Sequence, residues 1–157
     1  MSSVDIETRA RAEHPEELRL WLRMMATTQR VESKLRSGLR VEFGTTLPRF
    51  DLMAQLERVP EGLLMSELSR RMMVTGGNVT TITDRLEAEG LVERTAVDGD
   101  RRAYQVRLTP VGHKHFEVMA KALEGWVVNA LAGLSSGEIR ALYGLLGKIK
   151  QRLLEAE

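Results

Sequence analysis

Apolar residues return every three or four positions along most of this chain, which is the spacing of helices with one buried face. The spacing predicts helices over residues 15–43, 47–59, 65–72, 76–89, 110–131 and from 136 toward the C-terminus. Breaks follow each run, at Gly44, Pro60, Gly90 and Gly133. The pattern therefore predicts a mainly α fold.

Two short stretches depart from the helical spacing and favour strands. Residues 91–97 and 104–108 show partial alternation, and a turn containing Asp98 and Gly99 separates them. Thr109 followed by Pro110 then provides an N-cap and a first helical residue, so the second strand leads directly into a helix. Helix, turn, helix, glycine and hairpin is the order of a winged helix-turn-helix, whose second helix lies in the DNA major groove beside a small β-hairpin wing.

Composition narrows the class of protein. The length of 157 residues predicts one domain, and 43% apolar residues suffice for its core. The absence of cysteine excludes disulfides and thiolate sites. The sequence contains no signal-peptide pattern and no run of membrane-spanning length, so we expect a cytoplasmic protein that does not contact membranes.

The net charge is only +1, but the basic residues are clustered. Six basic residues against two acidic ones lie between positions 19 and 42, and Arg70 and Arg71 begin a stretch without acids that extends to Thr83. Arg101 and Arg102 lie side by side in the predicted hairpin. Patches of this kind favour a nucleic-acid partner, whereas the hairpin alone is also compatible with an ordinary charged loop.

The sequence offers little basis for catalysis. His113 and His115 are two positions apart on a predicted helix and face different directions, so a zinc site is not expected. No serine or lysine lies beside an apparent base, and no glycine-rich phosphate loop is present. We therefore expect no enzymatic activity, no catalytic residues, no metal and no cofactor.

Long apolar-striped helices occupy both ends of the chain, outside the hairpin module. They can pack on each other, or they can interlock with the same helices of a second copy. We favour the second arrangement: a single domain over residues 1–157, with dimerisation helices at 15–45 and 110–157 flanking a winged helix-turn-helix lobe at 47–109.

Three motifs carry a family resemblance. Residues 79–92 read VTTITDRLEAEGLV, residues 100–102 read DRR, and residues 106–112 read VRLTPVG. On these motifs the chain resembles the MarR family of bacterial winged-helix transcription regulators over essentially its whole length. The resemblance implies a homodimeric repressor that binds a palindromic operator in double-stranded DNA. It also implies that a small-molecule effector, bound between the dimer helices and the DNA-binding lobe, releases the DNA.

The predicted DNA contacts lie on the second helix of the pair, just before it, and on the wing. Short polar side chains suit base edges, a glycine-started helix N-terminus suits a phosphate, and arginines before the helix suit phosphates. Arg102 is the predicted groove contact, with Asp100 orienting its guanidinium. The set comprises Arg70, Arg71, Thr75, Gly76, Gly77, Asn78, Thr80, Thr81, Arg85, Asp100, Arg101 and Arg102.

Two details qualify that set. Arg85 has an alternative role as the partner of Glu89 one helical turn later. Family members often carry an arginine near Thr80 or Thr81, and this chain does not. The departure weakens the case for guanine readout and assigns more of the binding to the wing.

A possible effector site is suggested by arginines on the first helix. Arg36 and Arg40 lie one turn apart beside its apolar stripe, where they form either an anion clamp or a solvated basic face. Residues 47–56 (LPRFDLMAQL) resemble the branch that regulates aromatic-acid catabolism, which implies an aromatic acid or its CoA thioester as effector. The candidate ligand residues are Trp21, Met25, Arg36, Arg40, Arg49, Phe50 and Met53.

The competing function is a dimeric winged-helix adaptor that binds a protein and has lost DNA binding. Loss of the wing arginines, or an acidic recognition helix, would favour the adaptor, and the sequence has neither feature.

Overall fold

The computed structural model describes residues 4–72 and 76–157. After a short 3-10 helix (Ile6–Arg9), the elements are α1 (Glu16–Phe43), α2 (Leu47–Glu57), β1 (Leu63–Leu64), α3 (Met65–Met72), α4 (Gly76–Ala88), β2 (Val92–Val97), β3 (Asp100–Leu108), α5 (Pro110–Ala130) and α6 (Ser136–Leu154). The mainly helical fold with a hairpin wing is thereby confirmed.

Local capping signals set the helix boundaries. Gly44 ends α1 in the left-handed conformation with φ 60°. The Thr109 hydroxyl accepts a hydrogen bond from the Gly112 amide at 3.0 Å and donates one to the Gly90 carbonyl at 2.6 Å. This residue therefore caps α5 and ties its start to the end of α4. Ser135 caps α6 in a capping box with Glu138.

The sheet contains one strand more than the predicted hairpin. Its order is β1-β3-β2, all antiparallel, and β1 pairs through Leu63 with Val106. β3 also begins at Asp100 instead of residue 104. Val97 pairs with Asp100, whereas Ala96 pairs with Tyr104, so residues 101–103 bulge from the ladder.

The core joins the C-terminal end of α1 to α2, α3, α4, the sheet and α5. On the inner face of α4, Val79, Thr83 and Leu86 are fully buried and Ile82 is nearly so. The Thr83 hydroxyl donates to the Val79 carbonyl at 2.8 Å, which satisfies the only polar side chain on this face.

Gly112, in the first turn of α5, lies close to the backbone of Leu91 at the base of the wing. A Cβ atom at this position would lie 1.9 Å from the Leu91 carbonyl oxygen, so any side chain would force the backbones apart. The Thr109 amide also donates to that carbonyl, at 3.1 Å. The base of the wing is therefore fixed against α5.

Both chain ends extend beyond this core. Arg30 and Arg23 hold the 3-10 helix on α1 through Asp5 (2.5 Å) and Glu7 (2.7 Å), and the bond from Arg30 lowers the pKa of Asp5. α6 buries none of its side chains within the chain. Across residues 4–72 and 76–157, no helix is both long and apolar enough to cross a bilayer.

Candidate nucleic-acid interface

The outward face of α4 is polar over its whole described length. Because Val79, Ile82 and Leu86 are held in the core, the intervening residues must point away from it. Asn78, Thr80, Thr81, Asp84 and Arg85 are all exposed. This face has the short hydrogen-bonding side chains that base-edge contacts require, as the sequence predicts.

The approach to α4 is basic. Arg70 and Arg71 occupy the last turn of α3, the helix that precedes α4. Arg71 bonds Glu67 one turn earlier at 2.7 Å, so part of its charge is already neutralised, whereas Arg70 is exposed. Gly76 and Gly77 form the first backbone positions of α4. Thr75, also a predicted contact, lies outside the described residues.

The wing presents Arg102 on the bulged segment of β3, where its side chain is exposed. The prediction that Asp100 orients the Arg102 guanidinium is replaced by a different contact. The Asp100 carboxylate accepts a hydrogen bond from the Arg102 backbone amide at 2.9 Å. Asp100 therefore stabilises the backbone that carries the arginine, in the manner of an Asx turn. The side chain of Arg101 lies outside the described part of the chain.

An ion-pair cluster links the wing to α4, and sequence reasoning missed it. Arg94 on β2 bonds Asp84 at 2.6 Å and Glu87 at 3.4 Å, both on α4. The available signal was an arginine at a core-facing position of β2, one alternation after buried Val92.

Glu89 is not the partner of Arg85, which was the alternative role that the sequence offered for Arg85. Glu89 follows the last residue of α4 and pairs with Arg49 of α2, forty positions earlier in the sequence. The α4 end is therefore connected to α2 by a charged pair.

A cavity of about 310 Å³ lies where α1, α2, α5 and the end of α4 meet. Arg49, a predicted ligand residue, is only 13% exposed there, and its Nε is buried without a hydrogen-bond partner. The lining residues are Phe43, Gly44, Thr45, Arg49, Met53, Glu89, Leu91, His115 and Met119. The lining combines apolar side chains with the paired Arg49 and Glu89, so an organic anion could bind the guanidinium only in competition with Glu89.

Met53 also lines this cavity, whereas the other candidate ligand residues do not; these are Trp21, Met25, Arg36, Arg40 and Phe50. Phe50 is buried against Phe116, with ring centroids 5.2 Å apart. Trp21 and Met25 precede Leu39, the α1 residue in that core, by about 27 and 21 Å along the helix. The slot that the sequence predicts from Trp21, Met25, Phe50 and Met53 is therefore absent from the described single chain.

Of the two arginines in the predicted anion clamp on α1, Arg36 already has an acidic partner. It forms an exposed ion pair with Glu32 at 3.6 Å. Desolvation, followed by the charge of Glu32, raises the pKa of nearby Asp51, and Arg36 opposes that shift. Arg40 is exposed. Both arginines therefore lie on a solvated face, with acidic partners beside Arg36.

A larger hollow, of about 520 Å³, lies at the other end of α1 beside the 3-10 helix. Its walls include Glu7, Glu16, Arg19 and Arg23, so it is a charged surface groove with little apolar lining. Among the residues placed in the structure, no group of three or more histidine or acidic side chains could hold a metal ion.

Comparison with known proteins points to one family. A family model described as "MarR family" matches residues 43–103, which include α2, the helix pair and most of the wing. The transcriptional regulator PecS of Dickeya dadantii is 31% identical over 110 residues, which span 67% of this chain and 64% of PecS. The transcriptional repressor MdtR of Bacillus subtilis is 27% identical over 130 residues, 83% of each chain.

Solved structures agree with these relatives. A MarR family transcriptional regulator from Silicibacter pomeroyi superposes with a TM-score of 0.76 at 28% identity, over 92% of this chain and 99% of that one. The similarity therefore extends beyond the family-model match to α1, α5 and α6. The three similar proteins are all described as transcriptional regulators or repressors.

Proposed function

Because this chain belongs to the MarR family of winged-helix transcription regulators, we propose that it is a homodimeric repressor that binds a palindromic operator and is released by an aromatic acid. The observation that carries the proposal is that the polar face of α4 and the exposed Arg102 belong to one compact winged lobe. α4 enters the major groove, and the wing follows the adjacent minor groove.

The phosphate contacts that position the protein on DNA are assigned to the end of α3 and the beginning of α4. Arg70, Arg71 and the amide groups at the beginning of α4 contact the backbone, while Asn78, Thr80 and Thr81 face base edges. Thr80 and Thr81 offer no bidentate guanine donor, and Arg85, one turn later, is the exposed arginine of this face. Arg102 and DNA shape therefore contribute a large share of the affinity and specificity.

Dimerisation is assigned to α6 together with α1 and α5. Ile139, Leu142, Leu146, Ile149 and Leu153 recur at alternating three- and four-residue spacing, and each remains at least 39% exposed in the single chain. A helix of 19 residues with such a stripe requires a covering surface. A second copy supplies an identical stripe, which a two-fold axis brings into register.

The effector site is assigned to the cavity beside Arg49. A ring-bearing carboxylate would place its charge on the partly unsatisfied guanidinium and its ring against Phe43, Met53 and Met119. The CoA thioester is the second candidate: Arg36, one of the two arginines that would bind its phosphates, is paired with Glu32, whereas Arg40 is exposed. The adaptor function is not favoured, since the relatives are regulators and the α4 face carries base-reading side chains.

Screening benzoate-type acids and their CoA thioesters by thermal shift tests the effector assignment. At about 100 times the dissociation constant, a binding acid stabilises the protein by about 2.7 kcal/mol and raises its Tm by roughly 5 °C or more. The same acid is expected to weaken operator binding. Arg49→Met should abolish both effects, whereas Glu89→Gln, which leaves Arg49 without its carboxylate partner, should strengthen acid binding.

The opposite pattern would count against this assignment. Stabilisation by CoA thioesters without stabilisation by the free acids contradicts the choice of effector. An undiminished response in Arg49→Met would exclude the cavity as its site.

A further inference from the structure

The side chain of Arg94, on β2, bonds two carboxylates, and both of them belong to α4. Its side chain, 18% exposed, places one terminal nitrogen 2.6 Å from the Asp84 carboxylate and the other 3.4 Å from the Glu87 carboxylate. Its backbone amide also donates to Glu87, at 3.1 Å. Three hydrogen bonds therefore join a single residue of β2 to two successive turns of α4.

The strand register explains why this side chain reaches the helix. Arg94 pairs with Val106, which is fully buried, and cross-strand partners project from the same face of a sheet. The guanidinium therefore leaves the hairpin on its inner side, toward α4. A planar guanidinium held by two carboxylates fixes both the distance and the angle between β2 and α4, which a single point charge cannot do.

The position of the two acids gives this contact a second consequence. Asp84 lies one turn after Thr80 and Thr81 on the exposed face of α4, and 59% of its side chain is exposed. An unpaired carboxylate there would face the phosphates of bound DNA. Arg94 offsets part of this charge and, because both terminal nitrogens are bonded and the side chain is only 18% exposed, is not available for the phosphates itself.

We propose that Arg94 is a positioning residue for DNA binding: it locks the wing to α4 at a fixed angle by bridging two carboxylates of that helix. The proposal rests on the assigned DNA-binding function and deepens it. Arg102 at the wing and the polar face of α4 then reach adjacent grooves as one rigid unit, without an ordering cost on binding.

Arg94→Gln tests this role, with Arg107→Gln as the matched control. Arg107 lies on the same hairpin and loses the same charge, but its partner, Glu93, belongs to that hairpin and the pair is half exposed. Operator affinity is measured from 50 to 300 mM salt, with concentrations corrected for the active fraction. Arg94→Gln should weaken binding about tenfold with an unchanged salt slope, and Arg107→Gln less than about twofold.

The salt slope separates positioning from direct contact. A direct phosphate contact would reduce the slope of log Kd against log salt by about one, and that result would overturn the positioning role. A merely destabilised variant would lose active protein but keep its Kd. Arg94→Lys, which keeps the charge without the fork, should fold normally and still lose affinity several-fold; wild-type affinity in this variant would also overturn the proposal.

The behaviour of the wild-type protein separates the role of Arg94 from the DNA-binding function itself. If wild type binds its selected operator and Arg94→Gln binds equally well, only the role of Arg94 is excluded. If wild type binds no DNA at any salt concentration, the DNA-binding function and this role are both excluded.

Discussion

Replacing Leu146 with glutamate is expected to convert the proposed dimer into monomers and to abolish tight operator binding. Leu146 lies at the centre of the apolar stripe of α6 and is 39% exposed in the single chain. In a dimer, both copies of the new carboxylate would be buried without partners. The dimer dissociation constant should therefore rise at least about 100-fold, equivalent to about 2.8 kcal/mol. A monomer also loses avidity, so operator affinity should fall by about 100-fold or more.

Sedimentation velocity and fluorescence anisotropy measure these two quantities on the same samples. Gln151→Glu is the matched control, because it adds the same charge to the far side of α6 and should leave both constants nearly unchanged. A Leu146→Glu protein that remains dimeric at nanomolar concentration would remove α6 from the interface.

Arg102→Ala is expected to weaken operator binding by at least about tenfold, a loss of about 1–3 kcal/mol. Arg102 is exposed on the bulge of β3, and the bond from its backbone amide to Asp100 holds the segment in position. Because the outward face of α4 has no arginine among its threonines, the wing has few substitutes for this contact. Truncation should not change folding, since the side chain is solvent-exposed.

Gel shift at matched salt provides the measurement. Arg152→Ala, in the last turn of α6, removes the same charge far from the proposed interface and controls for the overall field of the protein. Equal affinities for Arg102→Ala and wild type would exclude the wing as a DNA contact.

Features specified by neighbouring residues were predictable from the sequence. The Thr109 cap, the Ser135–Glu138 capping box and the left-handed stop at Gly44 each depend on a few adjacent positions. The inward and outward faces of α4 follow from its apolar period, and Val79 and Leu86 lie where that period places them.

Features that depend on distant pairing were not predictable. Two-residue β1 exists only because Leu63 finds Val106, and too few residues alternate there to produce a strand pattern. Arg49 and Glu89 are forty positions apart, whereas the sequence offers Arg85 as a local partner of Glu89. The predicted Trp21 slot was wrong for a single chain, because the length of α1 separates residues that share one helix face.

The central claim, sequence-specific binding by a two-fold dimer, is tested most directly by selection from a random-sequence duplex library at about 0.15 M salt, followed by sequencing of the bound DNA. A two-fold dimer is expected to select one palindromic motif with half-sites centred about 10 base pairs apart, or a multiple of that spacing, with two chains on each duplex. Enrichment of no motif, or of an asymmetric site bound by a single chain, would contradict it.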